Sequence, residues 1–426
     1  MTLLLFSVSL LGAIAIGMPI AFALLVTAGA LMWQLNAFNW EIVALQMVNG
    51  TDSFPLLAIP FFLLAGEAMN AGGLSRRLVD LGLALVGHRQ GGLGYVAIIA
   101  ALLLASLSGS AIADTAALAA MLLPIMRQAG YSVGRSAGLV AAGGVIAPVI
   151  PPSIGFIIFG VASGVSITRL FLAGIVPGVL MALALLITWW VLTRRETLAT
   201  MPRRSWREAG RTLLDASFAL MLPAIIVGGL KTGIFTPTEA GVVAAVYALL
   251  VGTFVYRELT LAKFYEACLR AVLTTAAVMF LVAAAAVAAY LIAIADIPSH
   301  IGALLAPFAG HDILLMAAIM LLVVIIGTAL DMIPTILILT PVLMPVVQQA
   351  GIDPVYFGVM FIMNCAIGLL VPPVGTVLNV ASAVAKVELW VVIKGVAPFL
   401  LAQLLVLALL VLFPQIVIVP AQWLYG

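Results

Sequence analysis

Two carboxylates, Asp114 and Asp331, lie in long apolar stretches beside small residues that carry a hydroxyl group or no side chain. These neighbours are Ser106, Ser108, Gly109 and Ser110 before the first aspartate, and Gly327 and Thr328 before the second. An ionised group at the centre of a bilayer costs roughly 2.5–3.5 kcal/mol on insertion scales, so it needs a cation, a hydroxyl partner or a proton. If the apolar stretches cross a membrane, both aspartates are candidate ligands of a small cation.

Each aspartate region has a companion interruption in a later apolar stretch, at Pro151-Pro152 and at Pro372-Pro373. Proline removes a backbone donor and clashes with the preceding turn, so a proline pair ends or unwinds a helix and frees carbonyl oxygens. In lipid, such oxygens persist only inside protein or at a wet cavity. Freed carbonyls and small hydroxyls form an oxygen cage that suits a hard cation, while the positive end of a half-helix can face a carboxylate substrate.

The sequence therefore predicts two cages, each built from an aspartate break and a proline break. The aspartate breaks are Ser106–Thr115 and Gly327–Thr335, and the proline breaks are Pro148–Gly155 and Leu370–Asn379. The predicted cation ligands are Ser106, Ser108, Gly109, Ser110, Asp114, Gly144, Val149 and Pro151 in the first cage, and Gly327, Thr328, Asp331, Leu370 and Pro372 in the second. The predicted substrate contacts are Ser153, Gly155, Thr376 and Asn379.

Two plainer interpretations of these segments stay open. Runs of Gly, Ser and Pro also form packing seams, where small residues allow helices to approach closely. Either aspartate can also cap the N-terminus of a nearby half-helix, and capping is compatible with cation binding.

The elements that position these residues are predicted to be membrane helices. The 426 residues are 65% hydrophobic and only 8% charged, whereas a soluble domain has about 25% charged residues. Long unbroken apolar runs such as Ala271–Ala295 favour helices over a barrel, whose segments would alternate over roughly ten residues. A span needs about 20 apolar residues, which gives roughly ten to twelve crossings plus shorter, re-entrant pieces.

An internal repeat relates the four breaks. A shift of 221 positions places Pro124 on Pro345, because 345 − 124 = 221. The same shift, without gaps, aligns Gln128-Ala129-Gly130 with Gln349-Ala350-Gly351, Pro151-Pro152 with Pro372-Pro373, Gly174 with Gly395 and Pro177 with Pro398. Matches at Pro and Gly over more than fifty residues define two repeat cores, residues 106–180 and 327–401, within a single unit of residues 1–426.

The distribution of charge predicts that the two repeats have opposite topology. Six of the 18 Lys and Arg residues lie between Arg194 and Arg211, in a basic loop of residues 193–212 that follows the first repeat. Short basic loops stay in the cytoplasm, whereas no Lys or Arg follows the second repeat. Inverted repeats with broken helices are typical of secondary transporters.

Several motifs are spread over nearly the whole chain. They are Gly17-Met18-Pro19-Ile20-Ala21-Phe22, Ile59-Pro60-Phe61-Phe62 with Leu64-Ala65-Gly66, Ser108-Gly109-Ser110-Ala111, Ile150-Pro151-Pro152-Ser153, Phe235-Thr236-Pro237-Thr238-Glu239-Ala240, Gly327-Thr328 with Asp331, and Val371-Pro372-Pro373-Val374-Gly375. As a set they are specific, and with them the chain resembles the large membrane subunit of TRAP (tripartite ATP-independent periplasmic) transporters, the M or DctM subunit.

The resemblance implies an all-α elevator-type carrier of the bacterial inner membrane, with a scaffold, a moving transport domain and two re-entrant hairpins. It implies sodium ions in the two cages, at two or more sites. It also implies a separate small four-helix subunit (Q) and a periplasmic substrate-binding protein (P). The substrate class would be organic acids such as C4-dicarboxylates, sialic acid and other sugar acids. Apart from membrane lipid, no further partner is implied, and no nucleic acid.

Rival functions are a partner-free sodium/dicarboxylate carrier, an ABC permease, a channel and a membrane-embedded enzyme. The first shares repeats and hairpins with the favoured interpretation. The sequence has no P-loop for an ABC system, paired cages suit occlusion better than a continuous pore, and the isolated acids lack the nucleophile–base or metal cluster of an enzyme.

Overall fold

The computed structural model of the chain describes residues 2–196, 198–203, 205–305, 308 and 310–425, apart from the side chains of residues 3, 304 and 305. In this part of the chain, all of the regular structure is helical. The α-helices are α1 (Thr2–Ala15), α2 (Ile20–Gln34), α3 (Trp40–Thr51), α4 (Ala58–Ala71), α5 (Leu74–Val86), α6 (Gly92–Ser108), α7 (Ala111–Gln128), α8 (Val133–Gly144), α9 (Ile154–Ser163), α10 (Ile167–Thr193), α11 (Trp206–Lys231), α12 (Pro237–Leu250), α13 (Leu261–Ile294), α14 (Ile297–Leu305), α15 (Asp312–Gly327), α16 (Met332–Gln349), α17 (Pro354–Gly368), α18 (Thr376–Ala385), α19 (Leu389–Leu412) and α20 (Gln415–Tyr425).

Seven helices are long and apolar enough to cross a membrane, counted over the described residues. They are Phe54–Ala71, Ile167–Thr193, Trp206–Lys231, Pro237–Val255, Leu261–Ile294, Met332–Gln349 and Leu389–Leu412. Several shorter apolar helices, among them α6, α9, α15, α17 and α18, end or begin at the Gly and Pro breaks. The multi-pass, all-helical fold predicted from composition is confirmed, although fewer single helices reach full length than the ten to twelve predicted crossings.

The basic loop lies between α10 and α11. A capping box, in which Ser205 and Glu208 exchange hydrogen bonds, starts α11 at Trp206, so Arg207 and Arg211 belong to that helix. Upstream, Glu196 accepts an ion pair from Arg135 of α8, with 2.6 Å between the Arg Nη1 and Glu Oε1 atoms. These contacts fasten the loop to the end of the first repeat.

The helix boundaries follow the 221-residue register. Helix α16 begins at Met332 and ends at Gln349, and α7 begins at Ala111 and ends at Gln128, so both ends differ by 221 (332 − 111 and 349 − 128). Both proline breaks contain a cis peptide bond at the matched position, Pro151-Pro152 and Pro372-Pro373. Equivalent sequences therefore adopt equivalent local backbone.

Two amphipathic helices show that the repeats point in opposite directions. Helix α5 covers residues 74–86, whose register counterparts are 295–307 (74 + 221 and 86 + 221), and α14 lies within that range. Arg77 of α5 pairs with Glu258 at 2.9 Å, just before α13 begins, whereas α14 follows the other end of α13. Because α13 has 34 residues, its ends are separated by about 51 Å. The counterparts therefore lie at opposite ends of a spanning helix.

The two repeats pack directly on each other. A Cβ atom at Gly138 of α8 would lie 2.5 Å from the carbonyl carbon of Gly395 of α19, and one at Gly134 would lie 2.7 Å from the Val391 carbonyl oxygen. We call this backbone-to-backbone contact the glycine seam. Nearby, Phe159 of α9 packs on Phe357 of α17, with ring centroids 6.1 Å apart. The core that surrounds the breaks is therefore shared by both halves of the chain.

Candidate cation and substrate sites

The first aspartate break is a tight turn between α6 and α7. Helix α6 ends at Ser108, Gly109 has φ +61°, and Ser110 caps α7 by accepting a hydrogen bond from the Ala113 N–H at 3.4 Å. Only glycine fits the middle position, because a Cβ atom there would also lie 2.5 Å from the Pro152 carbonyl oxygen. The aspartate break and the proline break of the first repeat are thus in direct contact.

Asp114 lies one turn into α7 and is buried, with 2% of its surface exposed. The Ser108 hydroxyl donates to Asp114 Oδ1, and Ser108 Oγ accepts from the Ser110 N–H at 3.1 Å. The other carboxylate oxygen, Oδ2, is buried and has no hydrogen-bond partner among the described residues. Since Ser110 is the helix cap, capping does not explain Asp114, whereas its unpartnered oxygen is available to a ligand.

Thr115, the residue after Asp114, has a second buried oxygen without a partner. The residue is fully buried, and its hydroxyl has no hydrogen-bond partner in the described part of the chain. A Cβ atom at Gly144 of α8 would collide with Thr115 Oγ1 and would lie 3.0 Å from the Ala111 carbonyl oxygen. Gly144, a predicted ligand, therefore forms the wall facing Thr115. The sequence prediction did not include the Thr115 side chain, although a hydroxyl directly after Asp114 was a usable signal.

Ser106 does not join this group of oxygens. Its hydroxyl donates to the Leu103 carbonyl of the same helix at 2.7 Å. The structure brings together four of the predicted ligands, Ser108, Gly109, Ser110 and Asp114. The hydroxyl group of Ser106 is already used in a hydrogen bond within α6.

The first proline break is enclosed by protein. Val149 and Pro151 are buried, as is every residue from 141 to 160. Ser153 caps α9 by accepting from the Phe156 N–H at 3.3 Å and donates to the Pro148 carbonyl at 2.5 Å. Gly155 packs on α17, because a Cβ atom there would lie 3.3 Å from Ile362 Cγ2. In this conformation, the two predicted substrate residues of the first repeat face protein.

The second aspartate break has the same plan but looser contacts. Gly327 ends α15 against Gly368 of α17, where a Cβ atom would lie 3.3 Å from the Gly368 Cα atom. The Thr328 hydroxyl donates to the Ile325 carbonyl at 2.7 Å. Asp331 occupies the N-cap position of α16, but its side chain makes no capping hydrogen bond. The capping interpretation therefore fits the position of this aspartate, but not its side-chain contacts.

Thr376 connects the two breaks of the second repeat. Its hydroxyl donates to Asp331 Oδ1 at 3.5 Å. Leu370 is buried and Pro372 is half-buried. Asn379 is exposed and its amide donates to the Val374 carbonyl at 2.7 Å. The structure therefore brings Asp331 and Thr376 together, and leaves Asn379 on the open side of the break.

Asn364 was missed by the sequence prediction. It is fully buried on α17, its Nδ2 donates to the Met320 carbonyl at 2.6 Å, and its Oδ1 has no partner among the described residues. The residue lies one turn before Gly368, which contacts Gly327. A lone amide in the otherwise apolar stretch 354–370 was the available signal.

The geometry can be compared with known proteins. The sequence matches the family described as "Tripartite ATP-independent periplasmic transporter, DctM component" over residues 7–416. It is 54% identical over 423 residues to the 2,3-diketo-L-gulonate TRAP transporter large permease protein YiaN of Escherichia coli (strain K12), covering 99% of this chain and 100% of that protein. It is 40% identical over 405 residues to the sialic acid TRAP transporter large permease protein SiaM of Vibrio cholerae, covering 95% of each.

A solved structure shares the fold. The YdaH transporter of Alcanivorax borkumensis, described as having an unusual topology, superposes with a TM-score of 0.60 at 18% sequence identity, over 89% of this chain and 88% of that one. The relatives are permeases and not enzymes, and with the apolar helices they indicate a multi-pass protein of the inner membrane. The chain therefore belongs to the DctM family of TRAP transporter large permeases.

Proposed function

We propose that this chain carries a small organic acid into the cell together with sodium ions, as the large permease subunit of a TRAP transporter. The observation that carries this proposal is the buried Asp114, whose Oδ2 has no protein partner while Ser108 holds Oδ1. A buried unpaired carboxylate is too costly to persist without a counter-charge or a proton. Its position at a helix break, with freed carbonyl oxygens nearby, indicates a transported cation.

Sodium fits the charge and chemistry of the site. The oxygens at the first site come from Asp114, the Thr115 hydroxyl and backbone carbonyls, which are hard ligands. One carboxylate neutralises one monovalent cation. The second site offers Asp331 together with Thr376; Asp331 is the register counterpart of Ser110 (331 − 110 = 221), so its carboxylate is displaced by about one helical turn from the place of Asp114. We therefore assign at least one sodium ion to each repeat.

The substrate proposal combines the relatives with the exposed break. Proteins similar to this chain are named for 2,3-diketo-L-gulonate and sialic acid, which favours a hydroxylated sugar acid over a plain dicarboxylate. Thr376 begins α18, and Asn379 lies on the exposed side of that helix. A helix N-terminus attracts a carboxylate, and the amide can bond a substrate hydroxyl. Ser153 and Gly155 would reach the substrate only after α9 separates from α17.

The partners follow from the family. We propose a small four-helix membrane subunit and a periplasmic binding protein that delivers the acid. The basic loop, including Arg194 and Arg211, is placed in the cytoplasm by the positive-inside rule. The two repeats, which pack on each other along the glycine seam, would form the transport domain. This domain would move past the remaining helices in an elevator-like step.

The entry of sodium ions provides enough free energy for this uptake. Each elementary charge that enters gains about 2.3 kcal/mol per 100 mV of membrane potential. Two sodium ions with a singly charged acid would move one net positive charge inward. We therefore expect uptake to be electrogenic, and a transport current of zero under a sodium gradient would contradict this stoichiometry.

The test is saturable uptake of a labelled sugar acid into proteoliposomes, with the sodium gradient present or replaced by choline. The proposed small subunit and periplasmic binding protein are added or omitted in separate samples. Uptake that requires sodium and both partners supports the proposal. Sodium-driven uptake by this chain alone would keep the two sodium sites but replace the tripartite mechanism by that of a single-component carrier, and sodium-independent uptake would refute the sodium sites.

A further inference from the structure

A groove between α4 and α13 has a charged mouth and an apolar floor. The mouth is a cavity of about 330 Å³ lined by Glu67, Asn70, Ala71, Lys263, Glu266, Ala267 and Arg270. Further along the same two helices lies an apolar cavity of about 440 Å³ lined by Pro60, Phe61, Leu64, Cys268, Ala271, Val272, Thr275, Ala276 and Met279. Because the two cavities follow one helix pair in sequence, they form a continuous polar-to-apolar trough.

The length of the trough matches one leaflet of a bilayer. From Lys263 to Met279 is 16 residues (279 − 263) along α13, which corresponds to about 24 Å of helix. One leaflet, including its headgroups, is about 20–22 Å thick. The charged mouth lies near the start of α13, at the end of the molecule where Glu258 pairs with Arg77. The charged residues therefore lie toward the end of the helix pair where α13 begins, and the apolar residues lie farther along it.

The charges of the mouth balance. Two acids, Glu67 and Glu266, face two bases, Lys263 and Arg270. Arg270 Nη2 is 3.1 Å from Glu266 and its Nε is 4.0 Å from Glu67, and Lys263 Nζ donates to the Glu258 carbonyl at 3.0 Å. A purely basic mouth would select anionic lipids, whereas this mouth offers bases for a phosphate and acids for an ammonium group.

We propose that this trough binds one phosphatidylethanolamine molecule, with its phosphate at Arg270 and Lys263 and its ammonium at Glu67 and Glu266. The lipid would occupy the leaflet on the side of the basic loop, because α11 and α12 cross once each between that loop and α13. The site touches the transport machinery through α4: Gly66 precedes Glu67, and a Cβ atom there would lie 3.5 Å from Ser108, the partner of Asp114.

The test measures lipid binding directly and does not depend on transport. The full chain is purified with its partner subunit, delipidated, and titrated with phosphatidylethanolamine, phosphatidylglycerol or phosphatidylcholine of identical acyl chains, and retention is read by native mass spectrometry. We expect saturable retention of one phosphatidylethanolamine, with the other two lipids retained about tenfold less, since charge-assisted hydrogen bonds distinguish the headgroups.

Variants locate the site. Arg270→Ala with Lys263→Ala should lower retention of phosphatidylethanolamine about tenfold or more, and the nearly isosteric pair Glu67→Gln with Glu266→Gln should also lower it, because the ammonium loses both acidic partners. Arg211→Ala, on the exposed surface of α11, is the matched control and should leave retention unchanged. Equal retention of all three lipids, or retention unaffected by both groove variants, would overturn the proposal. So would retention by the isolated chain that disappears when the small subunit binds, because the trough would then be covered by that subunit.

Discussion

The two proline breaks occupy matching positions in the repeats but differ in how deeply the protein covers them. Every residue from 141 to 160 is buried around the first break, whereas Pro373 and Val374 of the second are exposed. Their backbones share the cis Pro-Pro bond. The difference therefore arises from packing and not from local sequence. In an inverted pair, one closed and one open break correspond to a carrier that faces one side of the membrane.

The aspartates follow the same contrast. Asp114 is enclosed and has one oxygen without a partner, while Asp331 is half-buried and occupies the N-cap position of α16. The enclosed carboxylate of Asp114 is therefore cut off from water, whereas water can solvate Asp331. Three experiments compare residues of the enclosed first repeat with residues of the more open second repeat.

The largest expected difference is in chemical accessibility. Ser153 and Val374 are register counterparts (374 − 153 = 221), with 0% and 39% of their surfaces exposed. In a chain carrying Cys268→Ser and Cys365→Ala, Val374→Cys should react with a water-soluble thiol reagent about a hundredfold faster than Ser153→Cys, because thiol reactivity follows exposure. Labelling after denaturation is the control for total thiol. Equal rates would mean that the two breaks exchange rapidly between closed and open forms.

The next largest difference is in sodium dependence. Asp114→Asn should reduce sodium-driven uptake by roughly a hundredfold, because a buried ligand charge is lost where no water replaces it. Asp331→Asn should raise the sodium concentration for half-maximal uptake by about tenfold, since solvent compensates part of the loss.

Amounts of folded protein, measured by size-exclusion chromatography, serve as the control for both asparagine variants. Identical losses of sodium-driven uptake in the two variants would show that the exposure of each aspartate in this conformation does not determine how much it contributes. Unchanged sodium dependence in both variants would show that neither aspartate binds the cation.

The smallest difference concerns stability. Gly109→Ala should cost about 3 kcal/mol of unfolding free energy, because it combines a positive φ with backbone contact, the added Cβ lying 2.5 Å from the Pro152 carbonyl oxygen. Gly375→Ala should cost only about 1–2 kcal/mol, since its nearest neighbour is the flexible Leu378 side chain at 3.0 Å. Equilibrium unfolding in mixed detergent measures both values. A larger loss of unfolding free energy for Gly375→Ala than for Gly109→Ala would mean that the turn at Gly375 is the more tightly packed of the two.

Much of this architecture could be predicted from sequence because Pro and Gly act locally. Proline kinks or breaks a helix through its own backbone. The breaks and their 221-residue spacing can therefore be recognised in the sequence without any knowledge of tertiary contacts. Ser108, Ser110 and Asp114 converge because they occupy one turn. Likewise, Thr376 is brought to Asp331 by the second proline break.

What could not be predicted depends on neighbours that are distant in sequence. The side chain of Thr115 becomes significant only because Gly144 of another helix encloses it, and Asn364 only because Gly368 beside it meets Gly327. Which apolar stretches form one full-length helix and which form shorter helices could not be predicted, because half-helices carry the same hydropathy as full spans. The unequal exposure of the two proline breaks has no signature in either motif, since it reflects one conformation of the whole molecule.

The glycine seam has a consequence for the ratio of ions to substrate. At Gly134, Gly138 and Gly395, backbone meets backbone with no side chain between α8 and α19, so one repeat cannot slide past the other without opening the core. Any displacement of the two repeats would then carry both proposed cation sites together. The number of ions per transport cycle would be fixed by the number of sites built into one rigid body, and the ion gradient would set only the rate of the cycle.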